Sequence, residues 1–195
     1  MICFEITING KFLCRAGVEN ATVISPGISM FADAGKAAHL RLSALTVQAD
    51  GRRTHVSWFD EIELSPGDDV SFIMLESNAP TEPVKVTLLA LEDYTEMLAL
   101  PEGFENTQPP QVLRTEAEWS VAALLCSING EQKTLISAMP GDEDISCSLV
   151  WSNKKPDCYR IFTGSFGDDS ASSHERKWLR SVVSIHDTLT LRIIA

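Results

Sequence analysis

The stretch Cys3-Phe4-Glu5-Ile6-Thr7-Ile8-Asn9-Gly10-Lys11-Phe12-Leu13-Cys14 is an alternating run, an Asn-Gly pair and a returning run. Both central residues of a type I′ turn need positive φ, which Asn and Gly tolerate best, so this stretch predicts a two-stranded hairpin. Ile128-Asn129-Gly130 repeats the signal, after the apolar run from Val121 to Ser127 and before Leu135-Ile136. Each Asn-Gly pair is followed at the same interval by a tryptophan, Trp58 and Trp178. Beyond the tryptophans the match continues with a slip of one residue. Ile62-Glu63-Leu64-Ser65-Pro66-Gly67-Asp68-Asp69-Val70 lies against Val182-Val183-Ser184-Ile185-His186-Asp187-Thr188-Leu189. A period of this kind reads as one structural unit written twice.

Working outward, Val23-Ile24 predicts a short strand closed by a turn at Ser25-Pro26-Gly27. The alanines and Met30-Phe31 within residues 28–39 could make a short helix, but the counterpart Ile145, Cys147, Leu149, Trp151 alternates cleanly and favours strand plus irregular loop. Leu40, Leu42, Ala44 and Thr46 predict a strand that returns through Thr54 to Phe59 after Asp50-Gly51, again with the I′ signal. In the second copy Tyr159 to Phe166 takes that place, with Gly167 to Ser173 as a longer loop. Val70 to Leu75 and Leu189 to Ile194 are closing strands, so truncating the last six residues is expected to unfold the second half.

The expected fold is mainly β: two related antiparallel β units packed as a sandwich or pair of sandwiches, with little helix. Residues 1–100 form the first unit, with an extra strand near 84–91 and a short helical turn over Tyr94 to Leu100. The polar, proline-bearing stretch 101–118 reads as a linker, and 119–195 as the second unit.

Net charge is −11, from 27 acidic and 16 basic residues spread along the chain. The basic clusters, Arg52-Arg53, Lys154-Lys155 and Arg176-Lys177, are too small for a phosphate-binding face, so no nucleic acid is expected. No window approaches the apolar length of a membrane span, and no export signal opens the chain, so a cytoplasmic protein is expected. Five cysteines without a C-x-x-C pair argue against a disulfide framework. Cys3, Cys126 and Cys147 read as core residues, and Cys3 could face Cys14 across the first hairpin.

Chemical motifs are sparse. Gly164-Ser165-Phe166-Gly167 lacks the glycine a nucleophile elbow needs, and His174-Glu175 does not continue into H-E-x-x-H. His39, His55 and His186 stand apart from one another. The clusters Asp68-Asp69, Asp142-Glu143-Asp144 and Asp168-Asp169 lack calcium-loop spacing. No cofactor, metal or catalytic residue is therefore expected. Asp68 and Asp187 read as turn aspartates that accept backbone N–H bonds. Trp58 and Trp178 read as core anchors, whereas Trp119 and Trp151 fit an interface between the halves or with a partner.

The pattern carried by Asn9-Gly10, Leu40-Leu42, Trp58-Phe59-Asp60, Gly67-Asp68 and Val70-Phe72 resembles small bacterial β-rich proteins, and it implies no activity. The leading expectation is a non-enzymatic binding protein of a bacterial cytoplasm, most concretely an immunity protein that neutralises a toxin with a basic surface. Trp151, Asp168 and Asp169 are the residues expected at that surface. The alternatives are a structural subunit of a larger assembly, and an enzyme with a site at the seam between the halves that uses His55 or His174.

Overall fold

The computed structural model describes residues 1–31, 38–48, 50–89, 123–137, 144–169 and 172–194. Among them are strands and no helix, arranged in two antiparallel sheets. The helical turn expected over 94–100, the linker 101–118 and Trp119 lie outside the described residues. No helix among the described residues is long and apolar enough to cross a membrane.

The first sheet is six-stranded. It contains β1 (Ile2–Ile8), β2 (Lys11–Ala16), β7 (Asp69–Glu76), β9 (Ala123–Ile128), β10 (Glu131–Ser137) and β14 (Thr188–Ile194), in the order β10-β9-β14-β7-β1-β2. The second is eight-stranded. Its members are β3 (Ala21–Phe31), β4 (Ala38–Val47), β5 (Arg53–Ser57), β6 (Ile62–Leu64), β8 (Lys85–Leu89), β11 (Asp144–Ser152), β12 (Lys155–Asp169) and β13 (Ser172–Ser184). They run β13-β12-β11-β3-β4-β5-β8, with β6 also paired to β4. Strands from before and after 101–118 share both sheets, meeting at β7–β14 in one and β3–β11 in the other.

Alternation decides which side chains are enclosed. Phe4 and Ile6 of β1, Val70, Phe72 and Met74 of β7, and Leu189, Leu191 and Ile193 of β14 are buried on one sheet. Ile24 and Ile28 of β3, Leu40 and Leu42 of β4, and Ile145, Cys147 and Leu149 of β11 are buried on the other. All of them belong to one hydrophobic cluster. Phe4 and Tyr159 touch edge to face across it, with ring centroids 5.2 Å apart.

Both Asn-Gly hairpins form as expected, with positive φ at Asn9, Gly10, Asn129 and Gly130. The Asp50-Gly51 turn differs: Gly51 alone has positive φ, its N–H donates to Gln48 O at 2.9 Å, and Gln48 N–H donates to Arg52 O at 2.8 Å. That is a longer loop than a two-residue I′ turn. Asp50 clasps Arg52 inside it, through the backbone N–H at 3.1 Å and Nε at 2.6 Å.

Ser25-Pro26-Gly27 is not a turn. β3 runs straight through it, with Pro26 opposite Leu42. Proline has no N–H to give to a ladder, and the β3–β11 ladder is interrupted between Gly27↔Ser148 and Ile24↔Trp151, where Pro26 falls. The expected loop at Gly167 to Ser173 is likewise mostly strand, because β12 and β13 stay paired out to Asp169↔Ser172. Cys3 and Cys14 do not face each other, since Cys14 stands opposite Ile6. No disulfide joins any of the five cysteines.

The backbone takes different courses around the two tryptophans. The first stretch leaves its sheet after Ser57 and re-pairs with β4 at Ile62, whereas β13 continues unbroken past Trp178 with a bulge there: Leu179 pairs with Thr163 and Lys177 with Gly164. Trp58 is buried, and its indole N–H donates to Thr81 O at 2.9 Å. The side chain of Trp178 lies outside the described atoms.

Candidate functional site

β3 and β11 lie side by side in the middle of the larger sheet. Because Ile24, Ile28 and Met30 turn inward on β3, Ser25, Gly27 and Ser29 turn outward. On β11 the inward set Ile145, Cys147, Leu149 leaves Ser146 and Ser148 outward. Small residues on both strands leave a depression of about 280 Å³, lined by Ser25, Gly27, Ile28, Ser29, Arg41, Ser146 and Ser148. Gly27 keeps its floor low. A Cβ there would stand 3.2 Å from Cys147 O and 3.4 Å from Ser148 Oγ.

One wall is charged but internally neutralised. Arg41, opposite Gly27, donates Nε to Glu61 Oε1 at 2.8 Å and holds Nη2 2.7 Å from the same oxygen. His39, opposite Ser29, has Nδ1 3.7 Å from Glu61 Oε1. Ser29 Oγ is enclosed and makes no hydrogen bond. A buried hydroxyl left unpaired costs about 1–3 kcal/mol, so Ser29 is a polar group that gains from turning toward a partner in the depression.

A serine, a histidine and a carboxylate on one face invite comparison with a nucleophilic triad. The geometry does not assemble one: Ser29 Oγ bonds to no base, Glu61 is engaged by Arg41, and the His39–Glu61 distance exceeds hydrogen-bond length. What the arrangement does offer is hydrogen bonding. Each serine hydroxyl donates once and accepts twice, and the guanidinium carries five donors.

The residues expected at a partner surface are not brought together. Trp151 is only 6% exposed, faces Ile24 across the seam, and donates its indole N–H to Pro156 O at 3.0 Å. It belongs to the core where the halves meet. Asp168 and Asp169 lie opposite Ser173 and Ser172 at the far end of β12, on the order of 30 Å along the strand from Tyr159, the partner of Trp151. His55 stands opposite Leu45 and Thr87, and His174 opposite Gly167. Among the described residues, no three His, Cys, Asp or Glu side chains are grouped to hold a metal ion.

Cys3, Cys14 and Cys147 are poor nucleophiles. Burial pushes the Cys14 thiol up to about 12 and that of Cys147 well above its ordinary value, and burial also raises Cys3. The depression itself escaped the reading of the sequence. Its signal was present as Ser25-x-Gly27-x-Ser29 and Ser146-x-Ser148, small polar residues alternating with apolar ones. No protein-family model, curated protein or solved structure matches the chain.

Proposed function

We propose that the chain is a duplicated β unit whose two copies close into a sandwich, and that it serves as a non-enzymatic binding protein. The observation that carries the duplication is a reciprocal set of junctions. Asn9 Nδ2 donates to Asp68 Oδ1 at 2.7 Å and accepts Asp69 N–H at 2.9 Å; Asn129 Nδ2 donates to Asp187 Oδ1 at 2.8 Å and accepts Thr188 N–H at 2.9 Å. Gly67 N–H donates to Ile193 O and His186 N–H to Met74 O, both at 2.8 Å. Each copy thus clasps the other by the same bond at the equivalent position.

The sandwich reading rests on the Phe4–Tyr159 contact between sheets and on the shared hydrophobic cluster. For function, the concrete form is an immunity protein of a bacterial cytoplasm that covers a basic toxin. A net charge of −11 favours such a partner and speeds its capture. The test is to capture partners from the native host and co-express the captured protein with and without this chain. A basic partner whose toxicity is suppressed, and whose binding weakens as salt rises, supports the reading. A partner bound without salt dependence, or no protection, overturns it.

The assembly-subunit reading has its own observation. Val84, Val86 and Leu88 are 76%, 63% and 62% exposed on or beside β8, the last strand in the described order of its sheet. Light scattering of the purified protein separates the two, since a binding protein of this kind stays monomeric without its partner.

A further inference from the structure

We propose that the depression at the β3–β11 seam is a binding site for a small neutral polyhydroxylated ligand, of the chemical class of a sugar. The site stands independently of any protein partner. Three features of different kinds converge on it. The first is shape: Gly27 and the short serine side chains make a hollow of about 280 Å³ in the middle of a sheet face. The second is an unmet need: Ser29 is one of the lining residues, its Oγ is enclosed without a hydrogen-bond partner, and rotation about the Cα–Cβ bond would bring that hydroxyl to a ligand in the hollow.

The third is charge. Arg41 is the cationic group of the lining, and Glu61 already neutralises it through Nε and Nη2. A phosphate or carboxylate would have to compete with Glu61 for the guanidinium while approaching a chain of net charge −11. A neutral ligand meets neither obstacle. Its hydroxyls can donate to and accept from Ser25, Ser29, Ser146 and Ser148, which are themselves both donors and acceptors. Sugar-sized ligands need several such bonds at once, since each contributes little net of the water it displaces.

Amide-resolved NMR titration of the whole chain tests this, with glucose, N-acetylglucosamine and maltose as neutral probes and sodium phosphate and sodium acetate as anionic ones. The expected result is saturable shifts confined to the amides of residues 25–29, 41 and 146–148 with at least one neutral probe at millimolar concentration. Ser29→Ala and Ser146→Ala should each weaken that binding by about tenfold, the loss of one hydrogen bond. Both substitutions are small changes on a sheet face, and the spectrum itself reports whether the fold is kept. Shifts from phosphate or acetate but not from the sugars overturn the neutral class. Shifts that persist unchanged in the variants, or no shifts with any probe, overturn the site. Partner capture with the same variants keeps this result separate from the binding-protein reading, which does not depend on the hollow.

Discussion

Ser71 Oγ and Thr190 Oγ1 lie 2.9 Å apart, on residues that face each other at the centre of the β7–β14 ladder. Going outward from them, Ile73 faces Thr188 on one side and Asp69 faces Arg192 on the other. Under the proposed duplication Ser71 and Thr190 are equivalent residues, so a pseudo-two-fold axis passes between their hydroxyls. The symmetry is broken at once by charge. Arg192 grips Asp69 with two bonds of 2.7 Å, whereas Ile73 and Thr188 carry no charge. An exposed ion pair of this kind contributes little, so the divergence is tolerated.

The two asparagine junctions should behave as a matched pair. Asn9→Ala and Asn129→Ala each remove a side chain that donates to an aspartate and accepts a backbone N–H, and each leaves alanine at a φ of 53° or 51°. Each is expected to destabilise the protein by about 1–2 kcal/mol, the bonds being exposed. The two sites share no partner, so the double variant should show the sum. Urea unfolding of the four proteins measures it, and a loss at one site alone would count against equivalent junctions.

His186 occupies a left-handed backbone with φ 71°, and under the proposed duplication its equivalent is Gly67, at φ 89°. A side chain there is strained and glycine is not, although glycine also costs more entropy on folding. His186→Gly should therefore stabilise the protein by about 0.5–1 kcal/mol. The reverse change, Gly67→His, should cost a similar amount and no more, because a Cβ at Gly67 meets nothing within 4 Å. Thermal melts of both variants check the sign at each position.

These positions also show how far the residues alone disclose the fold. Asn9-Gly10 and Asn129-Gly130 were legible because a local backbone requirement is met by adjacent residue types. Pro26-Gly27 misled for the opposite reason: whether proline ends a strand depends on which neighbour needs its N–H, and that neighbour, β11, is distant in sequence. Trp151 was expected at an interface between the halves or with a partner, and its actual environment is set by pairing with Ile24, which no local pattern discloses. The seam hollow was hidden in the same way. Ser25, Ser29, Ser146 and Ser148 are ordinary outward residues until β3 and β11 are laid side by side.

Acid should loosen the first junction by a known route. The bonds from Asn9 and from Ser65 N–H hold the Asp68 carboxyl below its ordinary value. A folded-state pKa below the unfolded one gives stability that is present above the unfolded value, about 4, and is lost as pH falls through the folded value. The urea midpoint is expected to decline below about pH 4. In Asp68→Asn the starting stability is lower and this part of the decline is absent. Midpoints measured from neutral pH down to acid separate the two curves, and parallel curves would remove Asp68 from the account.

Tyr159 tests the core itself. Its ring is fully enclosed and packs edge to face on Phe4, yet its hydroxyl has no hydrogen-bond partner, and burial pushes its pKa far up. Removing the hydroxyl while keeping the ring should relieve an unmet polar group, so Tyr159→Phe is expected to be neutral or to stabilise by about 1 kcal/mol. Phe4→Ala, which deletes the ring on the other side of the contact, should cost about 3–5 kcal/mol. Denaturant midpoints of the two variants give the comparison. A marked loss of stability in Tyr159→Phe would show that the hydroxyl holds a buried water bound to further polar groups, and the space between the sheets would then be wet at that point.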